Sequence, residues 1–241
     1  EQSLREQVGD SLVSVFGTGA CGDINHSDPT KQERNSTEVI GKALSATIKS
    51  ALPGLNAVED RRLQVRTEVV RLPLQEVSQQ QLDRAARLLP AAKAGEKVDF
   101  FDLVSAYKWI VLEQLRNEPP RLQASDHINW GLSRSWSGVG DALPVEVVTI
   151  TLGSDVALVF LPGEVFVDLG LAIKRGSPYR TTMVIELSNC VETIYIPTRA
   201  AYAGGGYEVT NSALKPGGGE MLVETSLRLL RASASDAPAA P

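Results

Sequence analysis

Histidine and cysteine, the side chains that most often build metal and catalytic sites, are scarce in this 241-residue chain. It has two histidines, His26 and His127, and two cysteines, Cys21 and Cys190. Two thiols cannot form a zinc site alone, and the long spacing between them does not establish a disulfide. A metal or hydrolase site therefore needs partners that these residue types do not supply.

The chain also lacks a basic surplus and long apolar runs. Its net charge is −5 and its pI is about 5.2, which argues against a nucleic-acid partner because neutralising phosphates requires excess Lys and Arg. No apolar run reaches the roughly 18 residues that cross a bilayer, and no signal peptide is predicted at the start. Hydrophobic content of 43% and charged content of 22% are typical of a soluble globular protein.

Hydrophobic periodicity predicts alternating strands and helices in one domain, residues 1–231, followed by a disordered Ala/Ser/Pro-rich tail, 232–241. The predicted fold class is α/β (or α+β), with mixed β-sheets flanked by amphipathic helices. Asn35 is the predicted cap of the first long helix, with Glu38 three positions later. The predicted helices are 3–9, 35–52, 78–94, 100–116, 165–175 and 220–231, and the predicted strands are 12–16, 63–74, 145–152, 156–161 and 181–187.

A carboxylate and several phenols stand at predicted strand ends. Glu164 follows the strand 156–161 and the turn Pro162-Gly163, where it is either a metal ligand or general base, or a helix-start glutamate favoured by the helix dipole. Tyr195 and Tyr207 are either packed rings with wet hydroxyls or site residues. The glycines at 204–206 favour the second reading for Tyr207, because they allow a ligand to approach the backbone closely.

The loop after the first predicted strand offers a second cluster of polar groups. Gly22-Asp-Ile-Asn-His26 brings a carboxylate, an amide and an imidazole together, and Asp23 either contributes to a site or forms an Asx-turn with its own backbone. Gly17-Thr-Gly-Ala-Cys-Gly22 is not a dinucleotide fingerprint, because no helix begins there. His127 could pair with Asp126 but is more typical of a surface or structural histidine.

Three blocks in order resemble the neutral/alkaline (non-lysosomal) ceramidase family over about residues 10–231. Cys21-Gly-Asp-Ile-Asn25 resembles the nucleophile loop of that family, and Leu161-Pro-Gly-Glu164 resembles its Pro-Gly-Glu metal-ligand motif. The segment with Leu187-Ser-Asn189, Tyr195-Ile-Pro-Thr198, Tyr202 and Tyr207-Glu208 resembles its tyrosine segment.

The resemblance implies a zinc site and an amide-cleaving reaction. In the family, two histidines, a glutamate and a tyrosine bind zinc, and a serine attacks an N-acyl amide to release a fatty acid and a sphingoid base. By position, Glu164 and Tyr195 match the glutamate and tyrosine ligands, and Tyr207 matches a tyrosine that assists at the carbonyl. Asp23 and Asn25 match the nucleophile loop, so they join Tyr207 as candidate catalytic residues.

Two departures from the family pattern stand out. Asn25 occupies the position of the nucleophilic serine and cannot act as that nucleophile, although an amide could donate to a carbonyl oxygen. The family's zinc-binding histidines lie upstream of the loop, where this chain has only residues 1–16 and no histidine. The chain is therefore predicted to be the C-terminal half of a ceramidase-like domain, with zinc completed by an absent N-terminal half.

The leading predicted function is zinc-dependent hydrolysis of the N-acyl amide of ceramide-like lipids. One rival is a related metal-dependent hydrolase that uses water on a non-ceramide substrate, and another is a binding module that lost the serine. The predicted partners are an N-acylated lipid or amine substrate and the missing half of the domain, with a possible association with a membrane surface. Resemblance alone places the protein outside the cell or in the periplasm.

Overall fold

The computed structural model describes residues 2–28, 30–122, 137–189 and 194–236. These residues form eight helices and six strands, together with a short 3₁₀ turn at Leu52–Gly54. None of the described helices is long and apolar enough to cross a membrane. In chain order the elements are α1 (Gln2–Val8), α2 (Thr37–Ala51), β1 (Leu63–Pro73), α3 (Gln79–Lys93), α4 (Phe100–Arg116), β2 (Ala142–Leu152), β3 (Val156–Phe160), β4 (Glu164–Val165), α5 (Val167–Gly176), β5 (Thr181–Ile185), β6 (Tyr195–Ile196), α6 (Ala201–Gly204), α7 (Tyr207–Asn211) and α8 (Gly218–Ser235).

Four strands form a mixed sheet in the order β1-β2-β3-β5. The β1–β2 and β2–β3 pairs are antiparallel, and β3 pairs with β5 in parallel. The crossover from β3 to β5 passes through α5, as a parallel pair requires. A second, two-stranded parallel sheet joins β4 to β6. The prediction of an α/β fold with mixed sheets and flanking helices is confirmed.

One face of the four-stranded sheet is covered by helices of this chain. Val70 and Leu72 on β1, Val145 and Val147 on β2, and Val159 on β3 are buried on this face. The helix α8 packs on β1 and β2, and α5 packs on β5. Polar contacts lie at the edge of the same face, where the Arg66 guanidinium donates to the Ser233 hydroxyl at 3.0 Å. We call this side the covered face.

The opposite side of the sheet carries large apolar side chains that are all at least partly exposed. Its rows run across all four strands, as in Val65–Ile150–Leu158–Met183. Val69 is 61% exposed although its neighbour Val70 is only 6% exposed. We call this side the open face; its apolar members are Leu63, Val65, Val69, Val148, Ile150, Leu152, Val156, Leu158, Phe160, Met183 and Ile185.

Helices α3 and α4 match their predictions closely and pack on each other. Ser78 caps α3 through a capping box with Gln81, whose backbone N–H donates to the Ser78 hydroxyl at 3.2 Å. Asp99 caps α4 by accepting from the Asp102 backbone N–H at 3.1 Å. The inward residues of both helices join the single described hydrophobic core.

The N-terminal predictions need correction. Residues 12–16, predicted as a strand, form none, because none of the described strands pairs with them and Val13, Val15 and Phe16 are largely exposed. The cap of α2 is Ser36 rather than Asn35, because the Ser36 hydroxyl accepts from the Val39 backbone N–H at 3.3 Å. The apolar face of α2 also does not pack on the core of the protein.

The C-terminal helix is longer than predicted. Helix α8 continues to Ser235, so residues 232–235 of the predicted disordered tail are helical. Two alanines favour helix there, and the Ser233 side chain is buried against the covered face. Residues 237–241 lie outside the described residues.

Candidate functional site

Glu164 and Tyr195 lie directly opposite each other on β4 and β6. The Glu164 backbone N–H donates to the Ile194 carbonyl, and the Phe166 N–H donates to the Ile196 carbonyl at 3.1 Å. This register brings together two side chains that are 31 positions apart in sequence. The structure therefore pairs the two residues predicted as metal ligands; their role as ligands stays a prediction.

Glu164 is not a helix-start glutamate. It lies on β4, and α5 begins only at Val167, with Phe166 at the cap position. The acidic residue in the first turn of α5 is Asp168. The helix dipole therefore does not account for Glu164, because that effect is confined to the first turn of a helix.

Burial favours the uncharged forms of both members of the pair. It raises the pKa of Glu164, the charge of nearby Glu186 raises it further, and the Tyr195 hydrogen bond acts in the opposite direction. Burial also raises the pKa of Tyr195 to about 12, and the Glu164 carboxylate adds to the shift. A bound cation would reverse both effects, because it stabilises carboxylate and phenolate.

The backbone leading into Tyr195 is strained. Ile194, the residue before Tyr195, has a φ of 50°, in the left-handed region that a β-branched residue rarely occupies. Such conformations cost about 1–3 kcal/mol each and are found most often at functional sites. The strain therefore marks Ile194 as a residue whose conformation the surrounding structure enforces.

Tyr207 lies beside the pair and extends it into an aromatic cluster. Gly205 and Gly206, with φ values of 68° and 105°, turn the chain into α7, where Tyr207 is the first residue. Its ring meets the Tyr195 ring edge-on, with centroids 5.7 Å apart, and stacks on Phe100 at the same centroid distance. Phe100 is 58% exposed, so an apolar surface adjoins the Glu164–Tyr195 pair.

The loop Cys21–Asn25 packs against the same corner. The Gly22 N–H donates to the Val165 carbonyl at 2.9 Å, and a β-carbon at residue 22 would collide with the Glu164 carbonyl. The Asp23 carboxylate accepts from the Val167 N–H at 2.7 Å and so caps α5. Asp23 thus forms a tertiary cap, and the Asx-turn is instead made by Asn25, whose Oδ1 accepts from the Ser27 N–H at 3.2 Å.

Glu186 is a site residue that the sequence reasoning missed. It is 3% exposed, and its carboxylate contacts both the loop at Cys21 and the strand β4. The alternating pattern of residues 183–187 contains a signal that could have identified Glu186. Period two places Glu186 on the same face as buried Val184, so the sequence puts a carboxylate at an inward position.

Cys21 has no thiolate character. Burial, then the hydrogen bond to Glu186 at 3.0 Å and the surrounding carboxylates, raise the pKa of its thiol to about 12. A nucleophilic cysteine requires the opposite shift. The prediction for His127 and Asp126 falls outside the described residues, and so does the possible Cys21–Cys190 pairing.

The described residues do not complete a zinc site. Within them, no three His, Cys, Asp or Glu side chains converge to hold a metal ion. Glu164 and Tyr195 supply two oxygen donors, whereas a catalytic zinc needs about three protein ligands and an open position. Any zinc site at this corner therefore needs ligands from elsewhere.

Comparisons with known proteins give a distant likeness. No family model matches the chain, and no curated protein matches it. A solved neutral ceramidase from Pseudomonas aeruginosa matches 74% of this chain at 15% identity with a TM-score of 0.43. A ceramidase complexed with C2 matches 75% of it at 15% identity with a TM-score of 0.41. The chain spans 29% and 31% of those two structures, and likeness at these values identifies neither family nor function.

Proposed function

We propose that Glu164 and Tyr195 are two zinc ligands of a hydrolase that cleaves the N-acyl amide of ceramide-like lipids. The observation that carries the proposal is their pairing across β4 and β6, where a carboxylate and a phenol are desolvated together. The sequence motifs around both residues, which resemble those of the neutral ceramidases, support the same reaction class. Zinc would supply Lewis acidity to this site when bound.

We also propose that an absent N-terminal half of the domain supplies the missing ligands and covers the open face. Strands buried on both faces read as continuous hydrophobic runs, and Val156–Phe160 on β3 is such a run. Face-to-face sheet packing would bury this apolar surface in a layer about 10 Å thick. A single partner segment would thus meet two needs of this chain, for metal ligands and for apolar cover.

The remaining residues of the corner fit supporting roles. Tyr207 lies at an exposed helix start, where its hydroxyl could donate to a substrate carbonyl. The Asn25 Oδ1 is engaged with Ser27, which leaves the amide Nδ2 as the group that can donate. Asp23 holds the loop to α5, so its role is to place Asn25 rather than to exchange protons.

A second candidate is a metal-dependent hydrolase that uses water on a non-ceramide substrate. The observation favouring it is the lack of a competent nucleophile in the loop, because Asn25 replaces serine and the pKa of Cys21 is raised to about 12. A water nucleophile requires no side-chain nucleophile. Under either candidate, action on a lipid at a membrane surface, outside the cell or in the periplasm, rests on the family resemblance.

The test starts from native protein isolated from its source. Mass spectrometry shows whether the chain occurs joined to or bound with an upstream polypeptide, and metal analysis gives the zinc content. The purified protein is then assayed on N-acyl sphingosine and on other amides and esters, with and without chelator. Chelator-sensitive cleavage of N-acyl sphingosine supports the first candidate, and cleavage of the other substrates alone supports the second.

Glu164→Ala tests the ligand role within that protein. We expect loss of bound zinc and at least a ~100-fold fall in activity, since even outer partners of metal ligands cost about 10–100-fold. Glu224→Ala, which removes an exposed carboxylate from α8, is the matched control and should leave both unchanged. Full zinc content in Glu164→Ala, or ligand binding without any hydrolysis by the native protein, would overturn the enzymatic proposal.

A further inference from the structure

We propose that Glu186 is a positioning residue whose buried carboxylate fastens the Cys21–Asp23 loop to the strand that carries Glu164. The functional part of this inference rests on the proposed role of Glu164. The structural part, that Glu186 fastens the loop to β4, does not depend on that role.

The Glu186 carboxylate replaces a missing strand beside β4. The backbone N–H groups of Glu164 and Phe166 point toward β6 and donate to it. The Val165 N–H points the other way, where none of the described strands lies, and it donates to Glu186 Oε2 at 2.7 Å. A buried N–H without an acceptor is destabilising, so this carboxylate satisfies a backbone donor that would otherwise be unpaired.

The same carboxylate reaches the loop on its other side. Glu186 Oε2 also accepts from the Cys21 N–H at 3.2 Å, and Oε1 accepts from the Cys21 thiol at 3.0 Å. A direct bond from the Gly22 N–H to the Val165 carbonyl completes the connection. The loop and β4 are therefore joined as two strands would be, with a side chain serving as one of the acceptors.

Glu186 differs from the buried glutamate that has an ordinary structural partner. Glu113 is fully buried and forms a salt bridge with Arg121. Glu186 is 3% exposed, and the groups that donate to it are two backbone N–H groups and a thiol. A buried carboxylate is costly without good partners, and Glu186 finds its partners on the two segments that carry candidate site residues.

The consequence is that Glu186 sets the relative position of two parts of the site. Asp23 follows the fastened loop and caps α5 at Val167. Glu164 precedes Val165 and faces Tyr195. Releasing the carboxylate would let the loop move away from β4 while the strands themselves remained paired.

Hydrogen exchange in the purified protein tests the fastening directly. Glu186→Ala should accelerate exchange of the Val165 and Cys21 amides by at least ~10-fold, because local opening exposes them. Glu186→Gln keeps one carbonyl oxygen that can accept both N–H groups, so it should retain most of the protection. Peptide-resolved alkylation of Cys21 should rise in the alanine variant and much less in the glutamine variant.

Glu113→Gln is the matched control, because it perturbs a buried glutamate at the far end of α4. It should lower the overall stability without changing exchange at Val165 or alkylation of Cys21. Unchanged protection in Glu186→Ala, or equal loss in Glu113→Gln, would overturn the inference. If Glu186→Ala does not fold, the glutamine variant decides the inference: it retains a carbonyl acceptor, so loss of protection at Val165 in this variant would overturn the inference.

The activity assay separates this inference from the proposed function. If the native protein hydrolyses no amide, the proposed function fails, yet the exchange and alkylation results still decide whether Glu186 fastens the loop. If it is active, kcat should fall in Glu186→Ala and recover in Glu186→Gln, whereas Glu113→Gln should leave kcat unchanged in the folded fraction. If kcat is equal in all three variants, Glu186 has no role in the activity, although its hydrogen bonds to Val165 and Cys21 remain.

Discussion

The two faces of the four-stranded sheet are built from similar residues and have different surroundings. Val69 and Val70 are neighbours on β1, yet Val69 is 61% exposed and Val70 is 6% exposed. Helices α8 and α5 pack on the covered face, and the apolar side chains of the open face are not buried by the described residues. The alternation of a strand indicates the surroundings for which its sequence is suited, and the described residues cover one of the two faces.

The two faces also differ in where their polar groups lie. Thr149 and Glu186 are both buried on the covered face. The Thr149 hydroxyl has no hydrogen-bond partner among the described residues, whereas the Glu186 carboxylate accepts from three donors. Glu146 stands on the open face, where it accepts from Asn189 at 3.0 Å. Because helices bury the covered face, the pairing of each polar group there affects the stability of the protein. The open face tolerates polar groups, because they are not buried in this way.

The largest effect should come from placing a charge on each face at adjacent positions of β1. Val70→Asp should lower the free energy of unfolding by about 3–5 kcal/mol, because it leaves an unpaired buried charge. Val69→Asp should change it by less than about 1 kcal/mol in this chain alone. Urea unfolding followed by circular dichroism measures both.

Val69→Asp also connects this comparison to the proposed missing half. It should weaken any association with a polypeptide that covers the open face, and Val70→Asp should act only through folding. Equal destabilisation by the two aspartates would show that the open face is already covered, which would contradict the structural difference between the faces.

A smaller effect is expected at Lys108, which carries the comparison into the helical layer. Burial on α4 lowers the pKa of Lys108 from 10.5 to about 8, and its Nζ donates to Gln75 at 3.2 Å. The unfolded chain therefore binds more protons between pH 8 and 10.5, so the free energy of unfolding rises with pH in this window. Lys108→Met should stabilise the protein at pH 7 by roughly 3–4 kcal/mol, because each pKa unit corresponds to about 1.4 kcal/mol.

The gain at Lys108 should shrink as the pH approaches 10.5, because the wild-type side chain is then neutral in both states. Lys93→Met, at an exposed position in the last turn of α3, is the control and should change stability little at any pH. Thermal unfolding at a series of pH values decides the matter, and a pH-independent gain would argue that packing rather than charge is responsible.

The smallest effect concerns Thr149, whose buried hydroxyl has no partner within the described part of the chain. Thr149→Val keeps the shape and removes the unsatisfied group, so it should stabilise the protein by about 1 kcal/mol. The same change at Thr67, exposed on the open face, should alter stability by less than about 0.5 kcal/mol. A destabilised Thr149→Val protein would indicate that the hydroxyl is hydrogen-bonded in solution.

Local patterns predicted the elements whose stabilising contacts are close in sequence. Hydrophobic periodicity predicted α3 and α4 at 78–94 and 100–116, and it predicted β2 and β3 at 145–152 and 156–161. Caps, turns and helix faces are interactions over a few residues, so a short window contains their physical cause.

Predictions failed where the outcome depends on a distant neighbour. The stretch 12–16 has the composition of a strand but has no partner among the described strands. At the start of α2 two adjacent residues could both act as the cap, and the position of the first turn selected Ser36 over Asn35.

By itself the sequence determined the class of fold and pointed to Glu164, Tyr195, Tyr207, Asp23 and Asn25 as candidates. The tertiary structure decided which of them meet: the β4–β6 register pairs Glu164 with Tyr195, and the loop packs Asp23 against α5. It also revealed the role of Glu186, because the role of a carboxylate at an inward position can be assigned only when the groups that donate to it are known. The physical reason is that desolvation and hydrogen bonding depend on groups far apart in the chain, and sequence spacing does not encode these directly.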